Sequence, residues 1–82
     1  MQMPKEWTET EIPEGGTLLR KETYEYQTEK GDFNIEVYEN LKGEFYAIGT
    51  PNSGDKLIVY GSNITTSRAL ALSVVLDKIE RE

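Results

Sequence analysis

The side chains in this sequence that could do chemistry are carboxylates and tyrosines. The 82 residues include fifteen Asp or Glu and five Tyr, with no His and no Cys. Without imidazole or thiol groups, the chain has no histidine general base, no Ser-His-Asp triad and no His or Cys metal site. A disulfide framework is excluded for the same reason. We therefore expect a protein that is not an enzyme, with no catalytic residue, cofactor or metal.

Paired carboxylates are the remaining route to acid–base or glycosidase chemistry. Glu36 and Glu44 form a candidate pair across a hairpin. Three further acids cluster near the N-terminus: Glu9, Glu11 and Glu14. Catalysis by such a pair needs a cleft that raises the pKa of one carboxyl group, and a small sheet offers none. Solvated surface acids are the stronger interpretation.

Charge is distributed unevenly along the chain. Residues 1–44 carry eleven acidic and five basic residues, whereas residues 45–82 carry four of each, which leaves a net charge of −6. Such a chain repels phosphate backbones and anionic membranes, so we expect no direct binding to nucleic acid or membrane. Solubility is the simplest role for this charge, and a carboxylate surface that meets a basic partner is the sharper one.

Tyrosines are the second group with a potential binding role. Residues 32–39 alternate with period two, which places Tyr38 and Glu36 on the face opposite the apolar side chains. The candidates to join Tyr38 there are the other tyrosines: Tyr24, Tyr26, Tyr46 and Tyr60. An aromatic platform on a sheet stacks peptides, bases or flat ligands. The simpler alternative is that tyrosines favour strands and cross-strand pairs.

The elements that position these groups are four strand patterns followed by one helix pattern. The strand patterns cover residues 17–28, 32–39, 44–50 and 56–61. Charged residues within the first pattern indicate an edge strand. In the third pattern, either Phe45 and Ala47 or Tyr46 and Ile48 face the core, because alternation alone allows both registers.

The C-terminal residues 65–81 change to the period of an amphipathic helix. The apolar stripe consists of Ala69, Leu72, Val75, Leu76 and Ile79. The candidate N-caps are Ser62, Asn63, Thr65 and Thr66. Leu70 and Val74 lie roughly opposite Leu72 and Ile79 and form a second candidate surface, for self-association or for a partner. The simpler alternative is a pair of isolated apolar residues, or a pair covered by Trp7 and the N-terminal segment.

These patterns predict an α+β fold, a four-stranded antiparallel β-meander with one C-terminal α-helix packed on one face. We expect residues 17–82 to form this single ββββα domain, because the chain is too short for two cores. Residues 1–16 form an irregular N-terminal segment. They show no secretory signal pattern, and no apolar run approaches the ~20 residues of a membrane span, so we expect a cytoplasmic protein.

Residues 33–79 resemble the short strand-strand-strand-helix modules of the YegP-like family. The resemblance is carried by E-V-Y at residues 36–38 and G-E-F-Y at residues 43–46. A strand that ends near Gly61 and a Ser/Thr-rich helix start then follow. The resemblance implies the fold of one module and no defined activity, so it assigns no functional residue.

The sequence as a whole predicts a small, acidic, non-catalytic domain that binds another protein, with a homodimer as one form of that binding. The candidate interaction residues are Leu70, Val74, Tyr38, Tyr46 and Glu36. The alternative function is an acidic inhibitor or nucleic-acid mimic that occupies a basic groove of its partner. The two functions differ in salt dependence, because binding through charge weakens as salt screens it.

Overall fold

The computed structural model describes residues 7–52 and 58–81 of the chain. Its elements are a short 3-10 helix (Trp7–Glu9), β1 (Arg20–Thr28), β2 (Gly31–Glu39), β3 (Phe45–Pro51), β4 (Tyr60–Gly61) and α1 (Arg68–Glu80). Within these ranges the four strands form one antiparallel sheet in the order β1-β2-β3-β4. Helix α1 packs on one face of the sheet, against β2, β3 and β4. The predicted α+β meander with one C-terminal helix is confirmed.

The β2–β3 turn is held by the side chain of Asn40. Its Oδ1 accepts hydrogen bonds from the backbone N–H of Lys42 at 2.9 Å and of Glu44 at 3.0 Å. An Asn side chain that bonds the backbone two residues on is a standard way to close a turn. Gly43 has φ of 80°, a conformation that costs little without a Cβ. These contacts set the register in which β2 and β3 pair.

The segment that precedes β1 lies against this turn. Ile12 and Leu18 line a hollow of about 270 Å³ together with Leu41. Both apolar side chains are partly buried there. The segment therefore runs beside the β2–β3 end of the sheet.

The outer edge of β3 is closed by an irregular stretch. Tyr60 and Gly61 continue the ladder and are the part of the predicted strand 56–61 that forms a strand; residues 58 and 59 are described but belong to no strand, and residues 56 and 57 lie outside the described residues. The Ser62 side chain then replaces a backbone group, since its Oγ accepts from the Ala47 N–H at 2.8 Å. Thr65 forms the last bridge, to Phe45.

The core lies between the sheet and α1. In β2 the residues that face the helix are Phe33, Ile35 and Val37, as the alternation predicts, and Ile35 and Val37 are buried. The remaining buried side chains are Ala47, Tyr60, Ala71, Val75 and Ile79. Of the two registers open to β3, the structure has the one in which Phe45 and Ala47 face the helix.

Small residues let α1 approach β3 closely. A Cβ placed on Gly49 would lie only 2.8 Å from Val75 Cγ1. Ala47 and Ala71 are fully buried in the same contact region. A glycine inside a strand often marks such a close approach, because no side chain keeps the two backbones apart. The helix therefore rests directly on the backbone of β3.

Helix α1 begins later than the sequence predicts and is rotated from the predicted stripe. Its N-cap is Ser67, whose Oγ accepts from the backbone N–H of Leu70 at 3.2 Å. The fully buried stripe is Ala71, Val75 and Ile79, with Leu72 and Leu76 partly buried beside it. Ala69 is exposed, so its predicted place in the core is wrong.

Replacing Gly49 with alanine tests the close approach between α1 and β3. The new methyl group would collide with Val75, so we expect Gly49→Ala to lower the free energy of unfolding by about 1–3 kcal/mol. Gly61→Ala is the matched control, because this strand glycine has no heavy atom within 4 Å of a new Cβ. We expect the control to change stability by less than about 1 kcal/mol. Urea denaturation measures both, and equal losses in the two variants would contradict the close approach.

Candidate functional site

The five candidate interaction residues lie on two separate surfaces. Tyr38, Tyr46 and Glu36 belong to strand positions that point away from α1, because they alternate with the buried residues of β2 and β3. Leu70 and Val74 belong to α1, on the other side of the sheet. A small ligand that contacts one surface does not reach the other.

The side of the sheet opposite α1, here called the open face, is covered by no helix or strand among the described residues. Its residues share alternate positions in β1, β2 and β3: Lys21, Thr23, Glu25, Gln27, Asp32, Asn34, Glu36, Tyr38, Tyr46, Ile48 and Thr50. Polar side chains predominate, as expected for a face that meets water. Tyr38, Tyr46 and Ile48 are the large apolar exceptions, and all three are partly buried.

Tyr38 and Tyr46 form a stacked pair on the open face. They are direct partners in the β2–β3 ladder, and their ring centroids lie 4.8 Å apart at an interplanar angle of 15°. The Tyr38 hydroxyl donates to Glu36 Oε1 at 3.2 Å. Lys21 Nζ of β1 lies 3.1 Å from Glu36 Oε2. A chain of polar contacts therefore runs from β1 to the tyrosine pair.

The ionisation of these groups follows from their contacts. The hydrogen bond from Lys21 is the main cause that lowers the pKa of Glu36 below its ordinary value. Partial burial, followed by the hydrogen bond to Glu36, raises the pKa of Tyr38. At neutral pH the open face thus holds an ionised carboxylate beside a neutral phenol.

The predicted carboxylate pair does not form. Glu36 lies opposite Ile48 in the sheet, whereas the side chain of Glu44 accepts from Asn40 Nδ2 at 2.8 Å in the turn. In the described ranges no three acidic side chains are placed to hold a metal ion. The predicted N-terminal cluster of Glu9, Glu11 and Glu14 is exposed.

Leu70 and Val74 are not among the buried residues of α1. Lys78 lies four residues beyond Val74, and its Nζ donates to the Gly61 carbonyl at 2.5 Å. Leu70 is 53% exposed, and Val74 is partly buried. The exposure of Leu70 agrees with its predicted place away from the apolar stripe, whereas Val74 is only partly exposed.

One group that the sequence interpretation missed is the charged cluster around Arg68. Its Nη2 lies 3.2 Å from Glu39 Oε1 and 3.3 Å from Glu22 Oε1, and its guanidinium lies 5.2 Å from the Phe45 ring centroid. A cation in the first turn of a helix is opposed by the helix dipole. That mismatch was the available signal that Arg68 has acidic partners. The cluster joins the start of α1 to the end of the sheet.

Comparisons of the chain with protein-family models, curated proteins and solved structures found no match. The resemblance of residues 33–79 to YegP-like modules therefore stays a prediction. No helix within the described parts of the chain is long and apolar enough to cross a membrane. The geometry of the open face is therefore the basis for inferring a function.

The contact between Tyr38 and Glu36 is testable by titration. In Glu36→Gln the phenol loses its bond to a carboxylate, so its pKa should fall toward the ordinary value of about 10. Partial burial remains, so the pKa should stay above that value. The ring resonances of Tyr38, followed by NMR through alkaline pH, measure it. Glu44→Gln is the control, and an equal Tyr38 pKa in both variants would refute the contact.

Proposed function

We propose that this chain is a small, non-catalytic protein-binding domain whose anchor is the stacked pair Tyr38–Tyr46. The observation that supports the proposal is the position of this pair. Two aromatic rings lie beside an ionised carboxylate, on a sheet face that no described element covers. Tyrosines are enriched among the residues that dominate binding energy at protein interfaces. Their rings bury much apolar area, while their hydroxyls remain hydrogen bonded.

The tyrosine pair is held in place before any partner arrives. Each ring packs on the other, and the Tyr38 hydroxyl is held by Glu36, which is itself bound by Lys21. Side chains that are already ordered lose little rotamer entropy on binding. The pair is therefore suited to act as a rigid anchor.

The charges around the pair indicate the chemistry of the partner. Among the described residues, the open face carries Glu25, Asp32 and Glu36 against one cation, Lys21. A partner segment that bears arginine fits this surface, because guanidinium pairs with carboxylates and stacks on aromatic rings. Nucleic acids and anionic membranes are disfavoured by the same charges. We propose a cytoplasmic protein as partner, since a chain without Cys needs no oxidising compartment.

The ionised state of the Glu36 carboxyl group is consistent with a role that does not involve catalysis. General acid catalysis requires a carboxyl group whose pKa is raised, and the pKa of Glu36 is lowered. The chain has no imidazole or thiol to act in its place. The proposed activity is therefore binding alone.

A second candidate function is the acidic inhibitor or nucleic-acid mimic. It is favoured by the described segment before β1, where residues 7–19 carry Glu9, Glu11 and Glu14 and no basic residue. All three side chains are exposed. Such a segment would enter a basic groove through charge, independently of the tyrosine pair.

Binding by sheet-face variants separates these functions. The immobilised wild-type chain is used to capture a protein from a native extract. The captured protein is then purified, and the Kd of its complex with the chain is measured. We expect the Tyr38→Ser/Tyr46→Ser double variant to weaken binding about tenfold or more. Leu70→Asp is the matched surface control and should bind as tightly as wild type. Circular dichroism and urea denaturation establish that both variants remain folded.

Two results of this experiment would contradict the proposal. One is an unchanged Kd in the tyrosine double variant, and the other is loss of binding in Leu70→Asp alone. An unchanged Kd in the tyrosine variant, combined with a steep loss of affinity as salt rises, would support the acidic mimic instead.

A further inference from the structure

The first strand has one long backbone edge that pairs with no strand in the described part of the chain. β1 spans nine residues and is the outermost strand of the sheet. It pairs with β2 without interruption, from Arg20–Glu39 to Thr28–Gly31. Among the described residues, no other backbone hydrogen bond reaches β1. Unpaired N–H and C=O groups along such an edge are a template for another strand.

The other edge of the sheet is protected by its irregular shape. β4 has only two residues in the described chain, and the backbone then leaves the ladder before Thr65 returns to it. Short strands and irregularities are common means of preventing edge pairing. β1 has neither device, and it contains no Pro or Gly. Only charge restricts which strand can pair with it.

The charges of β1 are complementary to those of a second β1. Lys21 and Glu25 lie on the same face of the sheet, two positions on either side of Thr23. If a second copy pairs antiparallel with Thr23 opposite Thr23, each Lys21 lies directly opposite a Glu25. Opposite charges in direct cross-strand positions stabilise pairing. The twofold axis produces this pair twice.

Other symmetric registers are less favourable. Centring the pairing on Lys21, Glu22 or Glu25 places two like charges directly opposite each other, which destabilises a sheet. Centring on Tyr24 places no opposite charges together. A symmetric antiparallel pairing must be centred on a residue and not between two residues. Neighbouring residues point to opposite faces of the sheet, whereas directly opposite residues point to the same face. The Thr23-centred register is therefore selected by the charges.

We infer that a second copy of this chain pairs with the free edge of β1, antiparallel and centred on Thr23. The pairing joins two four-stranded sheets into one continuous sheet. Its twofold axis is perpendicular to the sheet, so both helices lie on one side and both tyrosine pairs on the other. This dimer goes beyond the proposed binding at the open face and does not depend on it.

Charge-swapped variants test the dimer and its register. Sedimentation equilibrium of the wild-type chain at several concentrations should show a monomer–dimer equilibrium. Glu25→Lys places like charges opposite Lys21 and should weaken dimerisation about tenfold. The double variant Lys21→Glu/Glu25→Lys restores opposite charges and should recover most of the affinity.

Glu25→Lys is the decisive single variant, because Lys21→Glu also breaks the ion pair with Glu36. Glu29→Lys is its matched control, since this exposed turn residue makes the same charge change outside the paired segment. A wild-type chain that stays monomeric at millimolar concentration would overturn the inference. A dimer that Glu25→Lys weakens no more than Glu29→Lys would also overturn it.

Discussion

Val75 of α1 lies against the backbone of β3 at Gly49, where no side chain separates the two elements. Ile79 of α1 and Ile35 of β2 pack around the same point, and the small Ala47 and Ala71 are fully buried in the same core. Both ends of the helix are then fixed by polar contacts. Arg68 bonds to Glu39 at the start, and the Tyr26 hydroxyl bonds to Glu80 at the end. With α1 committed to one face, the tyrosine pair is left on the other.

The sequence was sufficient for the fold because its strand and helix patterns differ clearly in period. Phe33, Ile35 and Val37 alternate with polar residues, so only one face of β2 was a plausible core face. β3 was ambiguous because both of its faces carry large apolar residues. Gly49 resolves the facing of β3, because its lack of a side chain matters only once Val75 of α1 is known to lie above it. That contact is tertiary, so the local sequence pattern does not contain it.

The sequence predicted only part of the candidate site, again because some of its contacts are tertiary. Glu36 and Tyr38 were correctly placed on the face away from the core, because they alternate with buried residues. Their association with Tyr46 required the β2–β3 register, which the Asn40 turn determines. In α1, apolar residues occupy nearly every direction around the axis, so spacing did not define one stripe. The predicted stripe consequently included Ala69, which is exposed.

One face of the sheet packs on α1, and no described helix or strand covers the other. The most direct test is a nuclear Overhauser experiment on the free protein in solution. We predict cross-peaks between the Val75 methyl protons and the Gly49 Hα protons, which the close approach requires. We predict none between the Tyr46 ring and any residue of α1. Cross-peaks from the Tyr46 ring to the helix would show that α1 covers the opposite face, and would contradict the central claim.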